Sequence, residues 1–308
     1  MNISEYLATT GAAVEDALRA LLPPVTEPPA RLHEAMAYSV LSGGKHVRPV
    51  LVIAAAEACA SDEACASDEA CGSAAEKVMP TACALECIHA YSLIHDDLPC
   101  MDDDDLRRGK PTNHKVFGEA LAVLAGDALQ AHAFRLIADN ARVPGISPES
   151  VVRVTALVAE AASSLGMVGG QAADCLAEGR KVTESEVEFI HARKTGALIR
   201  ASVMAGAELA GAPEALKAAL SSYGGTLGLL FQVTDDILNV EGDPAKMGKA
   251  AGSDEELEKA SYPRVAGVEL ARERARALAG EAEKALAPLG KRGETLVALA
   301  RFVLERRA

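Results

Sequence analysis

The sequence has no tryptophan, and Phe, Tyr and Trp together make up only 3% of its 308 residues. Large β-sandwiches and barrels draw on aromatic and β-branched strands, so this shortage argues against them. Positive charge is also short. The 31 Lys and Arg stand against 44 Asp and Glu, a formal net charge of −13. A general nucleic-acid binder needs the opposite field, because cationic side chains are what displace the counterions of a phosphate backbone. A local basic pocket for a small anion remains compatible with this balance. No apolar run approaches the roughly 18 uninterrupted residues of a membrane helix, and stable membrane insertion is not expected. The N-terminus lacks a basic leader segment and carries Glu5 early, unlike a secretion signal. Seven cysteines in such a chain read as reduced thiols, and the expected location is cytoplasmic.

What is present is helical. The chain is 49% hydrophobic, and Ala, Leu, Glu and Arg, all strong helix formers, fill long segments. A first helix is expected over 3–22, ending at Pro23-Pro24. A second starts near Arg31 and breaks at Gly43-Gly44, and a buried helix follows over 48–59. Further helices are expected over 76–98, 117–140, 148–169, 213–241, 264–287 and 292–306. Ser147-Pro148-Glu149 puts Pro at an opening position, and Thr183 to Glu186 reads as a capping box. Cys83 and Cys87 share a helix face at i, i+4, and no second Cys or His pair completes a zinc set. Residues 58–63 are repeated perfectly in 64–69, which reads as a mobile loop insertion over 58–72. No run of strands stands out. The expectation is one all-α domain spanning 1–308.

Two acidic motifs carry the chemistry. Six Asp fall within the ten residues from Asp96 to Asp105, directly after an apolar helix end. Asp is a poor helix-interior residue and repels its like neighbours, so such density needs a cation. All-oxygen hard ligands suit Mg²⁺, held by a few carboxylates plus substrate phosphates. Pro99 disrupts the helix, so Asp102 can fold back toward Asp96 and Asp97. Arg107 and Arg108 add forked donors for phosphate oxygens. The second motif, Gln232 to Asn239, emerges from another apolar helix, with Asp235 and Asn239 on one face. Together they describe two carboxylate walls across a helical cavity, a site for a diphosphate with a hydrocarbon tail.

With these motifs the chain resembles the trans-isoprenyl diphosphate synthases, of the bacterial farnesyl diphosphate synthase type. The resemblance rests on Gly43-Gly-Lys45-His-Val-Arg48-Pro49, on Glu86 to Asp97 with His89 inside it, and on Asp102 to Gly109. It rests further on Lys194-Thr195-Gly196, Gln232 to Asp236, Gly248-Lys249 and Lys259 to Pro263. It implies a helical bundle of the isoprenoid synthase type around a central cavity, and a homodimer. It also implies that Asp96, Asp102 and Asp235 ligate Mg²⁺, three ions with substrate bound, with the catalytic residues Asp97 and Asp236 close by. Arg107, Lys194, Lys249 and Lys259 would hold the allylic diphosphate, and Lys45, Arg48, His89 and Arg108 that of isopentenyl diphosphate. Thr195 and Gln232 would turn oxygen dipoles toward a transient carbocation. The released diphosphate would take the final proton.

The implied reaction is head-to-tail condensation of isopentenyl diphosphate with dimethylallyl or geranyl diphosphate to give farnesyl diphosphate. Tyr91 and Ser92 lie five and four residues before Asp96, ~6–7.5 Å along a helix axis, where a bulky side chain would stop the growing product. Alternatives are a geranylgeranyl diphosphate synthase, a terpene cyclase sharing the helical fold, and a non-catalytic partner subunit of a prenyl synthase. Asn239 departs from the Asp usual at that place. Arg306 and Arg307 end the chain, where a basic terminus in relatives can fold over the isopentenyl diphosphate.

Overall fold

The computed structural model describes residues 2–60, 72–241 and 260–306. The duplicated segment from 61 onward, Lys249, Lys259 and Arg307 lie outside the described residues. The described chain is built almost wholly of helices: α1 Ile3–Leu21, α2 Ala30–Val40, α3 Val47–Cys59, α4 Ala74–Asp96, α5 Asn113–Phe117, α6 Glu119–Asp139, α7 Pro148–Ala162, α8 Met167–Ala177, α9 Glu184–His191, α10 Ala197–Leu209, α11 Glu214–Glu241, α12 Tyr262–Ala266, α13 Val268–Ala285 and α14 Glu294–Glu305.

Local chemistry sets the boundaries. Ser73 and Glu76 form a capping box that starts α4, and Thr183 and Glu186 form the expected one at α9. Pro148 opens α7 behind the Ser147 cap. Three expected helices are divided. The one over 148–169 stops at Ala162 and resumes at Met167. In the connection, a side chain on Gly166 would strike the Ala161 carbonyl at 2.1 Å. The helices expected over 117–140 and 264–287 are interrupted by Gly118 (φ +84°) and Gly267 (φ +87°), a conformation that favours glycine.

Helix α3 explains the bundle's layout. Between Arg48 and Glu57 it is apolar on every side, as a surrounded helix segment must be. Val52, Ile53 and Ala56 enter one hydrophobic cluster, which is completed largely by α1, α2, α4, α6 and α7. Val50, Leu51 and Ala54 enter a second, completed largely by α10, α11, α13 and α14. The acidic ends of α4 and α11 belong to these two halves.

One element was not foreseen. Leu106–Arg107 and Lys110–Pro111 form a two-residue antiparallel ladder with Arg107 opposite Lys110. Its turn residues, Arg108 (φ +53°) and Gly109 (φ +74°), are both left-handed, as a two-residue hairpin of type I′ requires. The hairpin orients both arginines.

A second irregularity lies between α9 and α10, where Ala192–Gly196 form a π-helical turn. Such bulges gather at functional sites, because the extra residue re-aims side chains. This turn carries Lys194 and Thr195. It is wedged by two glycines: a Cβ on Gly170 would meet the Lys194 backbone nitrogen at 2.1 Å, and one on Gly228 the Gly196 Cα at 2.5 Å. Gly228→Ala therefore overpacks backbone against backbone. Urea denaturation is expected to show a loss of about 1–3 kcal/mol, with Gly225→Ala on the same helix, where nothing lies within 4 Å, as the mild comparison.

Candidate active site

The first acidic motif is shaped by its own backbone. α4 ends at Asp96, and the Asp102 amide donates back to the Asp96 carbonyl at 2.9 Å. The loop through Pro99 thus returns Asp102 to the helix end, as the sequence suggested. Asp103 is held at φ +50° within it. Asp96 and Asp102 both act on Lys194 across the cavity. Burial works against the Lys194 ammonium, but Asp174, Asp96 and Asp102 outweigh it and hold it above its usual range. Its direct partner is Asp174 on α8, Nζ to Oδ2 at 2.7 Å.

Asp97 is turned elsewhere. It is 3% exposed, and Arg107 grips both its oxygens through Nε at 2.7 and 2.9 Å. Arg107 also reaches Asp104 at 3.2 Å. The pair fixes the hairpin to the end of α4, so Arg107 enters any anion site already oriented.

On the opposite wall, Thr195 donates to Gln232 Oε1 at 2.7 Å, and Gln232 Nε2 donates to Asp236 at 3.1 Å. Asp236 also accepts from the Tyr262 amide at 2.7 Å and lies 3.3 Å from His191 Nε2. Asp236 is therefore an internal anchor tying α11 to the start of α12. Asp235 faces the site. Its partner is Arg306, at 2.5 Å. Asn239 lies one turn further along α11.

A basic cluster sits beside these walls. His46 takes a left-handed backbone (φ +44°) at the start of α3, and its ring meets Glu86 at 3.0 Å, with both side chains 4% exposed. This bond sets the turn that presents Lys45 and Arg48. Arg108 donates to the Gly43 carbonyl and packs on Gly44, where a Cβ would lie 2.7 Å from its guanidinium carbon. Burial pushes the Arg48 guanidinium down to about 10, opposed by Glu86 and Asp235, so it stays charged at neutral pH. Its Nε is buried without a hydrogen-bond partner. An orphaned donor on a buried cation is costly and fits an arriving anion. Enclosure, reinforced by Arg48, Arg108 and Arg107, holds His89 well below its usual range, so it is neutral near pH 7.

Below the charged groups lies a cavity of about 530 Å³ whose lining includes Arg48, His89, Asp96, Lys194 and Thr195 at the polar end. Tyr91, Ser92, Leu98, Met167 and Val168 line the rest. Tyr91 is 5% exposed, and its hydroxyl accepts from Gln130 at 3.2 Å. The cavity therefore brings Arg48, Lys194 and Asp96 together with an apolar lining, while Arg107 and Arg108 line a smaller neighbouring cavity with His89 and Asp97.

Residues 29–288 match the polyprenyl synthetase family. The chain belongs to that family. A farnesyl diphosphate synthase from Geobacillus stearothermophilus is 47% identical over 85% of this chain and 84% of its own. A chloroplastic geranylgeranyl pyrophosphate synthase from Catharanthus roseus is 46% identical over 96% of this chain and 77% of its own. Among solved structures, a Helicobacter pylori geranyltransferase complexed with magnesium and isoprenyl diphosphate superposes with TM-score 0.85 at 31% identity, covering 99% of both chains.

In this polyprenyl synthetase, two buried groups escaped the reading of the sequence. Glu86 lay inside a quoted motif without a role. Asp174 is a lone acid on a helix otherwise apolar or small, three residues after Gln171. The clue available was Gly169-Gly170 just before it, since adjacent glycines on a helix point to close backbone approach.

The neutral His89 has a consequence for stability. An unfolded imidazole titrates near ~6.5, and the folded one lower. Its linkage leaves stability intact above the unfolded value and lost as pH falls below it. His89→Asn is expected to flatten the fall in urea-unfolding free energy below about pH 6.5. Parallel curves for the two proteins would show that His89 protonates in place.

Proposed function

We propose that this polyprenyl synthetase condenses isopentenyl diphosphate with dimethylallyl and geranyl diphosphate, head to tail, and releases farnesyl diphosphate. The observation that carries this reading is Tyr91 lining the apolar cavity whose polar end holds Asp96, Lys194 and Arg48. A fourth isoprene unit against that buried ring would overpack the tunnel.

Among the described residues, no three His, Cys, Asp or Glu side chains form a preassembled metal cluster. The donors present are nonetheless hard oxygens, and each wall has a cation seated against it, Lys194 toward Asp96 and Asp102, and Arg306 on Asp235. This fits an ion shared between carboxylates and a substrate diphosphate better than a closed protein cage. Asp96, Asp102 and Asp235 would hold Mg²⁺. When bound, it would supply neutralisation of charge on the departing diphosphate.

The chain's own side chains account for the remainder. Arg107, fixed by Asp97, and Lys194, fixed by Asp174, hold the allylic diphosphate in line with the cavity. Lys45, Arg48, His89 and Arg108 hold that of isopentenyl diphosphate, and Arg48 Nε gains its missing partner there. Breaking the allylic C–O bond leaves a resonance-stabilised cation, which the isopentenyl double bond attacks. Thr195 donates its proton to Gln232, so its oxygen lone pairs remain for the cation. The apolar walls keep water from quenching it. Loss of a proton to the released diphosphate completes the double bond.

A geranylgeranyl product is the second reading. Val123 and Val168 line the same cavity and are 40% and 46% exposed, so the tunnel is open at the side in a single chain. These residues, with Leu124 on α6 and Val152 on α7, are exposed apolar side chains suited to burial by a second copy. We accordingly propose a cytoplasmic homodimer folded as one domain per chain.

Incubation with Mg²⁺, isopentenyl diphosphate and each allylic starter, followed by measurement of product length, tests the reading directly. Fifteen carbons support it, and twenty support the alternative. Asp96→Ala and Asp235→Ala are expected to cut kcat by about a hundredfold or more with the fold intact by circular dichroism. Near-normal turnover in both would end the two-wall account. Tyr91→Ala should shift the main product toward twenty carbons. An active variant with an unlengthened product would show that Tyr91 is not the floor.

A further inference from the structure

We infer that Arg306 is the resident counter-cation of Asp235, and that a divalent ion reaches Asp235 only by expelling it. This rests on the proposed reading of Asp235 as a metal ligand.

Arg306 caps α14 with an extended backbone (φ −60°, ψ 146°) that takes the chain out of the helix. Its side chain turns inward over α11 and is only 6% exposed. Nη2 lies 2.5 Å from Asp235 Oδ1 and donates to the Phe231 carbonyl at 2.7 Å, while the guanidinium lies 4.0 Å over the Phe231 ring. Phe231 and Asp235 are one helical turn apart, so ring and carboxylate form a single seat on one face. Stacking a planar guanidinium on the ring while one of its nitrogens meets the carboxylate is what arginine makes and lysine does not.

The seat is not a closed structural pair. Arg306 Nε is buried with no hydrogen-bond partner. The Lys45 ammonium is pushed down by burial and then by the Arg306 charge, with Asp235 pulling the other way. Two cations thus crowd each other around the one Asp235 carboxylate. That cost falls if Arg306 leaves Asp235 for a diphosphate oxygen. Displacement asks little of the fold, because Leu296, Leu299, Ala300 and Val303 hold α14 in the core independently of the tail.

A guanidinium and a divalent ion on one carboxylate repel strongly at such separations. Metal binding at Asp235 and tail seating are therefore linked, and each weakens the other by the same factor. In the substrate-free protein Arg306 keeps the second wall neutralised and lowers its affinity for the metal. Arrival of the diphosphate offers Arg306 another anion and frees Asp235.

The test is Mn²⁺ alone, titrated into the full-length substrate-free protein, with unbound Mn²⁺ read by its paramagnetic resonance signal. Arg306→Gln is expected to tighten Mn²⁺ binding by about fivefold or more, the lower end of ordinary coupling, and Arg306→Lys to tighten it less. Arg301→Gln removes the same charge from the same helix, where it pairs with Glu283, and should change nothing. Adding Asp235→Asn to Arg306→Gln should weaken binding again. No effect of Asp235→Asn in that background would sink the metal reading of that carboxylate and the latch with it. Weakened binding there, with Arg306→Gln no tighter than wild type or matched by Arg301→Gln, would overturn the latch alone.

Discussion

Carboxylates carried on the inner ends of apolar helices must each find a cation, and this constraint organises the site. Asp97 takes Arg107, Asp235 takes Arg306, and Lys194 is shared among Asp174, Asp96 and Asp102. None of these side chains could stay ionised in a helical interior alone, since desolvation would neutralise it or expel it. The same pairings aim the cations. On the proposed reading, a diphosphate entering the site meets Arg48, Arg107 and Lys194 already oriented, which limits the entropy lost when it is held for reaction.

Backbone irregularity is concentrated where these cations must be delivered. His46, Asp103 and Arg108 are the non-glycine residues with left-handed backbones among the described residues, and they lie in the segments that carry Arg48, Asp102 and Arg107. The π turn at Ala192–Gly196 lies on the facing wall. Conformations of this sort cost free energy and persist where surrounding packing over-determines them. Here the packing is glycine against backbone at Gly170 and Gly228, and the buried His46–Glu86 contact. The regular helices supply the stability that holds these irregular segments in place.

The cavity also divides labour along its length. Its polar end is shared by charged groups from α3, α4 and the π turn, and its apolar remainder is lined by α4, α6 and α8. On the proposed reading, charge holds the diphosphate at one end while volume limits the hydrocarbon at the other. Product length is then a packing property, separable from the chemistry of bond breaking.

Much of this was readable from residue order. The density of Asp after an apolar helix, Pro99 breaking that helix, and the glycines before Lys45 and Arg48 follow from short-range rules, and so do the capped starts at Ser147 and Thr183. What stayed hidden depended on residues far apart in the chain. Asp97 and Asp236 look equivalent to Asp96 and Asp235 by sequence, yet adjacent positions on a helix point about 100° apart, and only packing decided which of each pair turned inward to Arg107 or Tyr262. The partnership of Lys194 with Asp174 required α8 to lie on the π turn. That of Asp235 with Arg306 required α14 to bring the tail over α11. Sequence alone determined where most of the helices run and which charges they carry. Tertiary structure alone decided which charges meet, because contacts such as Lys194 with Asp174 and Asp235 with Arg306 join separate helices and leave no local pattern to read.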